Sequence, residues 1–210
     1  MPVRTLLLGG LTTAYHQFWI IAPALRELLA EHDCDVRCSE DLEVLAAPGL
    51  RQAYDLIVNV TTGRQLSPTQ EEGLLGFVRG GGGLCGIHNA TDTFTSSAGY
   101  IAAIGGRFVR HPAQLDVAVE YVDAEHPITA GLPRFSVHDE LYIMDWKPEA
   151  VHLLAQTHSH EGSPQPLSWV RAEGAGRVFY HSLGHNRSTY DEPAFRTWVG
   201  RGARWAARAL

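Results

Sequence analysis

The sequence lacks a long apolar run, a dense block of one charge and a low-complexity segment. No run approaches the ~20 apolar residues that a membrane helix needs. The apolar stretch Val3–Gly9 is too short for a secretory signal and is typical of a buried first strand. The formal net charge is −6 and the arginines are scattered, which argues against a nucleic-acid surface. We therefore expect neither a membrane nor a nucleic acid as partner.

Cysteine is also scarce: the chain has three, Cys34, Cys38 and Cys85. An odd count without a secretory signal indicates free thiols in a reducing cytoplasm, so we expect a cytoplasmic protein. No second pair accompanies Cys34 and Cys38, as a four-cysteine zinc site would require, which favours a structural role for both. Cys85 lies inside a predicted strand, where a buried thiol is usually inert.

The 210 residues fit one domain, 1–210, and the first half alternates short apolar runs with helical patterns. Ser67, Pro68 and Gln70 form the N-terminal signature of a helix that ends near Arg79. Apolar strands that alternate with helices predict a parallel sheet covered on both faces, an α/β fold. The predicted strands are Val3–Gly9, Cys34–Ser39, Asp55–Val60 and Leu84–Ile87, and a further helix is Phe18–Glu31.

The second half is less regular. Leu115–Tyr121 and Val151–Gln156 are predicted as strands, and Leu167–Arg171 with Arg177–Leu183 as an antiparallel hairpin around a glycine-rich turn. Two helices complete the prediction, a short one at Tyr100–Ile104 and a closing one at Pro193–Ala209.

Ligands of open parallel sheets bind outside the carboxyl ends of the strands, so the residues that follow each strand are the candidates for a site. His16 follows the first strand, His88 and Asn89 follow the fourth, and His185 follows the last. His88 has the place of a nucleophile in a strand-to-helix elbow. A histidine there serves as an acid, a base or a metal ligand rather than as a hydrolytic nucleophile. The alternative is a histidine satisfied by local hydrogen bonds.

Four residues outside the strand ends are further candidates. His111 precedes a proline, which holds it extended and gives its side chain a defined direction. Asp139 and Glu140 stand beside Tyr142 in a predicted loop, where they would orient a histidine or bind a sugar hydroxyl. The alternative for this segment is a solvated acidic turn.

An ordered set of motifs covers nearly the whole chain and resembles the ThuA-like (trehalose utilisation) family. Each motif is short and unspecific on its own, and the preserved order carries the resemblance. The motifs are Gly81–Ala90, Ile104–Phe108 with His111-Pro112, His126–Leu132, Asp139–Tyr142, Gly176–Tyr180 with Leu183–His185, and Trp205-Ala206.

The resemblance implies a flavodoxin-like three-layer fold of the class I glutamine amidotransferase-like superfamily. Such a fold has a mostly parallel central sheet with helices on both faces, and we expect a C-terminal antiparallel hairpin in addition. The related amidotransferases carry a cysteine at the elbow, where this chain has His88, and a glutamate that Leu183–Asn186 lacks. Glutaminase activity is therefore not expected.

The resemblance also implies carbohydrate metabolism. The first hypothesis is a hydrolase, lyase or isomerase that acts on a keto-glycoside or disaccharide derivative by histidine acid/base chemistry. Its sugar substrate is the expected small-molecule partner, and the resemblance favours a homodimer. The residues assigned to catalysis are His88, His185, Asp139 and Glu140, and those assigned to substrate binding are His16, Asn89, His111 and Tyr142.

Two other hypotheses stay open. His16, His88 and His185 follow different strands and would converge as three ligands of a divalent metal such as Zn²⁺, which leaves one coordination position open. No closely spaced ligand pair in the sequence supports this metal site. The third hypothesis is a non-enzymatic module that binds a small molecule, because fold alone does not fix function.

Overall fold

The central sheet of the chain has eight strands, and two small two-stranded sheets accompany it. The computed structural model describes residues 1–10, 15–160 and 162–210. Its strands, named β1 to β12 in chain order, are Val3–Leu8, Cys34–Ser39, Leu56–Asn59, Gly83–Ile87, Gly106–Arg110, Leu115–Ala118, Glu120–Tyr121, Ser136–Asp139, Ile143–Trp146, His152–Thr157, Gln165–Glu173 and Gly176–His181. Its α-helices, α1 to α5, are Phe18–Glu31, Leu50–Ala53, Pro68–Arg79, Ala98–Ile104 and Pro193–Ala206.

The order of strands in the central sheet is β2-β1-β3-β4-β12-β11-β10-β7. The pairs from β2 to β12 are parallel, and those from β12 to β7 are antiparallel. The parallel part has the strand order of flavodoxin-like folds, in which the order reverses next to the first strand. The predicted fold class is confirmed, and the predicted hairpin is β11 with β12, which joins the central sheet through β4.

Helices cover both faces of this sheet, and side chains of each strand alternate between two cores. Leu7 packs with Leu25 of α1 and Trp198 of α5 on one face. Leu6 packs with Leu74 of α3 on the other face, where α4 also contributes. Among the described residues, no helix combines the length and the apolar character that a membrane span requires.

Local sequence signals set several boundaries as predicted. The four strands of the first half lie within one residue of their predicted bounds. Ser67 and Gln70 exchange hydrogen bonds at the start of α3, with Ser67 N–H to Gln70 Oε1 at 2.9 Å, so the capping box is present. The closing helix ends at Ala206 rather than Ala209. Arg208 has a left-handed φ of 59°, which interrupts the helix at this end.

The second half departs further from the prediction. Leu115–Tyr121 is not one strand, because its two parts pair with different partners: β6 with β8, and β7 with β10. Three strands, β5, β8 and β9, were not predicted. Asp139 is the last residue of β8, so it does not lie in a loop as predicted, and Glu140 follows it directly.

Candidate metal centre

Three histidines and one glutamate converge at the carboxyl edge of the sheet. His16 follows β1, His88 follows β4, His185 follows β12, and Glu140 follows β8. One ligand atom from each lies within 4.8 Å of the others. His16 Nε2 lies 3.2 Å from His88 Nε2 and 3.1 Å from His185 Nδ1. Glu140 Oε2 lies 3.1 Å from His185 Nδ1 and 3.4 Å from His88 Nε2.

His88 is held by the elbow at the end of β4. Its φ is 45°, a left-handed value that is uncommon outside glycine, and its side chain is buried. Its Nδ1 lies 2.7 Å from the carbonyl oxygen of Ser182. A carbonyl only accepts, so Nδ1 carries a hydrogen and donates it to Ser182, and Nε2 is the nitrogen that faces the cluster. Metal-binding histidines are usually fixed by such a second hydrogen bond.

His16 is supported in a similar way from behind. Its Nδ1 lies 3.0 Å from the hydroxyl oxygen of Thr62, which leaves Nε2 facing the cluster. Asn89 donates to Thr62 Oγ1 and, at 2.8 Å, to the carbonyl oxygen of Val60. Asn89 was predicted to bind substrate, but its buried amide contacts the residue that orients His16 and does not line the cavity described below.

Asp139 contacts backbone rather than the cluster. Its buried carboxylate accepts hydrogen bonds from the N–H groups of Gly184 and His185, both at 3.1 Å, and of Glu140 at 2.7 Å. The hydroxyl of Thr189 donates to it as well. These bonds fix the segments that carry His185 and Glu140. Asp139, predicted to be catalytic, therefore has the contacts of a positioning residue.

Burial and mutual charge set the protonation of the cluster. Burial, together with neighbouring His88 and His185, lowers the pKa of His16 to about 3. Burial alone would raise the pKa of Glu140, but its contacts with His185 and His88 outweigh burial and hold that pKa well below its usual range. Burial disfavours the charged form of His185, whereas the contact with Glu140 favours it. The net result is that the pKa of His185 is raised. An ionised carboxylate among imidazoles is a donor set suited to a cation.

A cavity of about 380 Å³ opens beside the cluster. Ligand pockets of small molecules start at roughly 300 Å³. The predicted residues His111 and Tyr142 lie in its wall, with His111 Nε2 3.6 Å from Glu140 Oε1 and the Tyr142 ring 4.1 Å from the His88 ring. The residues that line it are Tyr15, His16, Thr62, Asp92, Phe108, His111, Glu140 and Tyr142.

Some of these lining residues were not predicted. Asp92 belongs to the segment after β4, and Thr62 follows β3, so the rule that strand ends form the site would have included both. Phe108 lies in β5, a strand that the sequence pattern did not reveal. It ends the motif Ile104–Phe108, but nothing in that motif placed its side chain at the site.

The model of the ThuA family, described as trehalose utilisation, matches residues 4–206. This match spans nearly the whole chain, and the chain belongs to the ThuA family. The resemblance drawn from the motifs is thereby confirmed. No match was found among the curated proteins.

Solved structures share the fold. A ThuA-like protein from Parabacteroides merdae has a TM-score of 0.86 at 22% identity over 99% of this chain and 90% of its own. A ThuA-like protein from Bacteroides uniformis has a TM-score of 0.79 at 19% identity, with 98% and 91% covered. The cytoplasmic protein STM1381 from Salmonella typhimurium reaches 0.72 at 13% identity, with 97% and 99% covered. At these identities the likeness concerns the fold alone.

Proposed function

We propose that the chain is a divalent-metal-dependent enzyme of carbohydrate metabolism that acts on a keto-glycoside or a disaccharide derivative. The observation that carries the proposal is the convergence of His16, His88, His185 and Glu140 on one point. Imidazole and carboxylate ligands in a compact set of four are typical of zinc sites. The family description, trehalose utilisation, supports the substrate class.

The arrangement favours the metal hypothesis over the hypothesis that His88 or His185 shuttles protons. The ring nitrogen of His16 that faces the cluster lies within hydrogen-bond distance of the facing nitrogens of both His88 and His185, in a largely buried place. Lone pairs at such distances repel unless a proton or a cation lies between them. The outward nitrogens of His16 and His88 already have partners, so both rings are oriented as metal ligands usually are.

The chain would contribute binding and orientation around the metal. A bound divalent cation supplies a Lewis acid that polarises a carbonyl or hydroxyl oxygen. Tyr142 and Phe108, whose ring centroids lie 4.3 Å apart, form an aromatic wall against which the apolar face of a sugar ring would pack. His111 lies at the same wall and would bind a hydroxyl group.

The proposal is tested by removing and restoring the metal. The protein is purified, its metal content is measured by plasma mass spectrometry, and turnover of the keto derivatives of trehalose and related disaccharides is followed before and after exhaustive chelation. We expect about one equivalent of metal per chain, loss of turnover on chelation and recovery with Zn²⁺ or another divalent ion. Turnover that survives complete removal of the metal would overturn the metal requirement.

A second outcome concerns the non-enzymatic alternative. If these keto-disaccharides bind to the metal-loaded protein and none is turned over, the cavity is a binding site and the chain is a small-molecule-binding module. We further propose a cytoplasmic location, which the name of the Salmonella relative supports, and a homodimer, which sedimentation of the purified protein would test.

A further inference from the structure

We propose that Asp92 is the proton donor of this site and protonates the substrate oxygen that departs when the glycosidic bond breaks. The inference rests on the proposed function and adds a catalytic residue to it. Asp92 lines the same cavity as His16 and Glu140 of the metal centre, without being one of its four candidate ligands.

The backbone holds Asp92 in place from two sides. It follows the short 3₁₀ turn His88–Thr91, which begins at the elbow. Its N–H donates to the carbonyl oxygen of Asn89 at 2.9 Å, and its own carbonyl accepts from the N–H of Gly63 at 2.8 Å. The turn that presents His88 to the metal centre therefore also fixes the backbone of Asp92 at the wall of the cavity.

The surroundings of Asp92 differ from those of Asp139. Asp139 is fully buried and its carboxylate oxygens are taken up by Gly184, His185, Glu140 and Thr189. Asp92 is half-buried, and within residues 1–10, 15–160 and 162–210 no hydrogen bond or ion pair engages its carboxylate. A carboxyl group that faces a cavity without a partner is available to a substrate, whereas one that binds backbone is not.

The surroundings of Asp92 also favour its protonated form. Burial raises the pKa of Asp92, and nearby Glu140 raises it further, while His88 and His111 act in the opposite direction. A carboxyl group that lines a cavity and keeps its proton is suited to the role of a general acid.

The proposed step transfers one proton. The C–O bond to the departing sugar breaks, and its electron pair goes to the departing oxygen. The carboxyl proton of Asp92 moves to that oxygen, so the sugar leaves as a neutral alcohol. A water molecule bonds through its oxygen to the glycosyl carbon that loses the departing oxygen, and the proton that this water releases restores the carboxyl group of Asp92. The step therefore consumes one water molecule and yields two neutral sugars.

Two substrates with the same keto sugar and different leaving groups test this role. One is a keto-disaccharide, whose departing alkoxide needs a proton, and the other is a p-nitrophenyl keto-glycoside, whose phenolate leaves without one. For Asp92→Asn we expect kcat/KM on the disaccharide to fall by roughly 10²- to 10⁴-fold, the usual contribution of a general acid. On the aryl glycoside we expect a loss below about tenfold, because no proton is required there.

Metal content and a conservative variant complete the test. Asp92→Asn should keep the zinc content of the wild type, and Asp92→Glu should recover part of the lost disaccharide activity. Asp145→Asn, at an exposed carboxylate of β9, serves as the matched control and should match the wild type on both substrates. Equal losses on the two substrates, or no loss on either, would overturn the role of Asp92. A wild type that turns over neither substrate would instead overturn the proposed function, and this inference with it.

Discussion

Two of the histidine-lined cavities of this protein lie at opposite ends of β12. The larger, about 700 Å³, is lined by Asp123, His126 and His152 beside the start of the strand, and the smaller opens beside the metal centre beyond its end. In the larger cavity His152 Nε2 pairs with Asp123 at 2.7 Å, and His126 Nδ1 accepts from the N–H of Ile128 at 3.2 Å. In the described part of the chain, a group of ligand atoms suited to one metal ion occurs in the smaller cavity alone.

The comparison shows that neither the number of histidines nor the size of a cavity identifies a site. What distinguishes the metal centre is that nitrogens of His16, His88 and His185 converge on one point, while separate partners orient the rings of His16 and His88. Burying several ligand atoms that face one another is energetically unfavourable when no cation lies between them. Their convergence therefore indicates a bound cation.

The largest expected effect is a loss of zinc affinity, and it is tested by removing one histidine from each cavity. His88→Ala removes a ligand at the elbow, so we expect zinc affinity to fall by more than the ~100-fold typical of losing an outer-shell partner. His152→Ala removes the matched histidine of the larger cavity and should leave zinc affinity unchanged. Calorimetric titration of the metal-stripped variants measures both. Equal zinc affinities in the two variants would break the comparison.

The next effect concerns charge. Glu140→Gln keeps the size of the side chain and one ligating oxygen but removes the negative charge, so we expect zinc affinity to fall by roughly 10- to 100-fold. Glu149→Gln, a change at the larger cavity, is the control. If Glu140→Gln binds zinc as tightly as the wild type, the centre consists of the three histidines without the carboxylate.

A smaller loss of zinc affinity is expected from changing Thr62, which orients a ligand without binding the metal. Thr62→Val has nearly the shape of threonine but cannot hydrogen-bond to His16 Nδ1, so the ring loses part of its orientation. We expect zinc affinity to fall by about tenfold, the lower end of outer-shell effects. Thr69→Val, at an exposed position of α3, is the control. An unchanged affinity in Thr62→Val would show that the orientation of His16 does not depend on this hydroxyl.

A last effect is on stability rather than on zinc affinity, and it concerns His181, a histidine of the core that is not a ligand of the cluster. Burial lowers the pKa of His181 to about 3, from an ordinary value of 6.5. Between pH 6.5 and about pH 3, His181 therefore binds a proton in the unfolded chain but not in the folded chain. The free energy of unfolding consequently falls as the pH drops through this range. His181 contributes about 1.4 kcal/mol per pH unit to this slope.

Urea unfolding at a series of pH values measures that slope. His181→Gln should flatten it by about one proton equivalent between pH 6.5 and pH 3, whereas His158→Gln, at an exposed histidine, should not. The same slope in His181→Gln and the wild type would contradict a neutral, buried His181.

Sequence reasoning succeeded where one local pattern determines the structure. The apolar runs of β1, β3 and β4 are buried on both faces, and the box of Ser67 and Gln70 sets the start of α3, so these elements were predicted closely. His16, His88 and His185 were predicted because parallel strands bring their carboxyl ends to one edge.

Glu140 shows where such reasoning ends. It was predicted to orient a histidine or to bind a sugar hydroxyl, but not to join the three histidines as a fourth ligand. Its position depends on β8 pairing with β6 and on Asp139 binding the backbone of His185, which no local pattern reveals. Strands β5 and β9 were missed for a similar reason: they are short, they pair with each other, and their residues are partly exposed. Their location follows from tertiary pairing rather than from periodicity.

The most direct test of the metal centre is X-ray absorption spectroscopy at the zinc edge on wild-type protein that is stripped of metal and loaded with one equivalent of Zn²⁺. The proposal predicts a first shell of three imidazole nitrogens at about 2.0–2.1 Å and one carboxylate oxygen at about 2.0–2.2 Å. It further predicts that the imidazole signal decreases in His88→Ala. Zinc with a shell of water oxygens alone, or a spectrum that His88→Ala leaves unchanged, would contradict it.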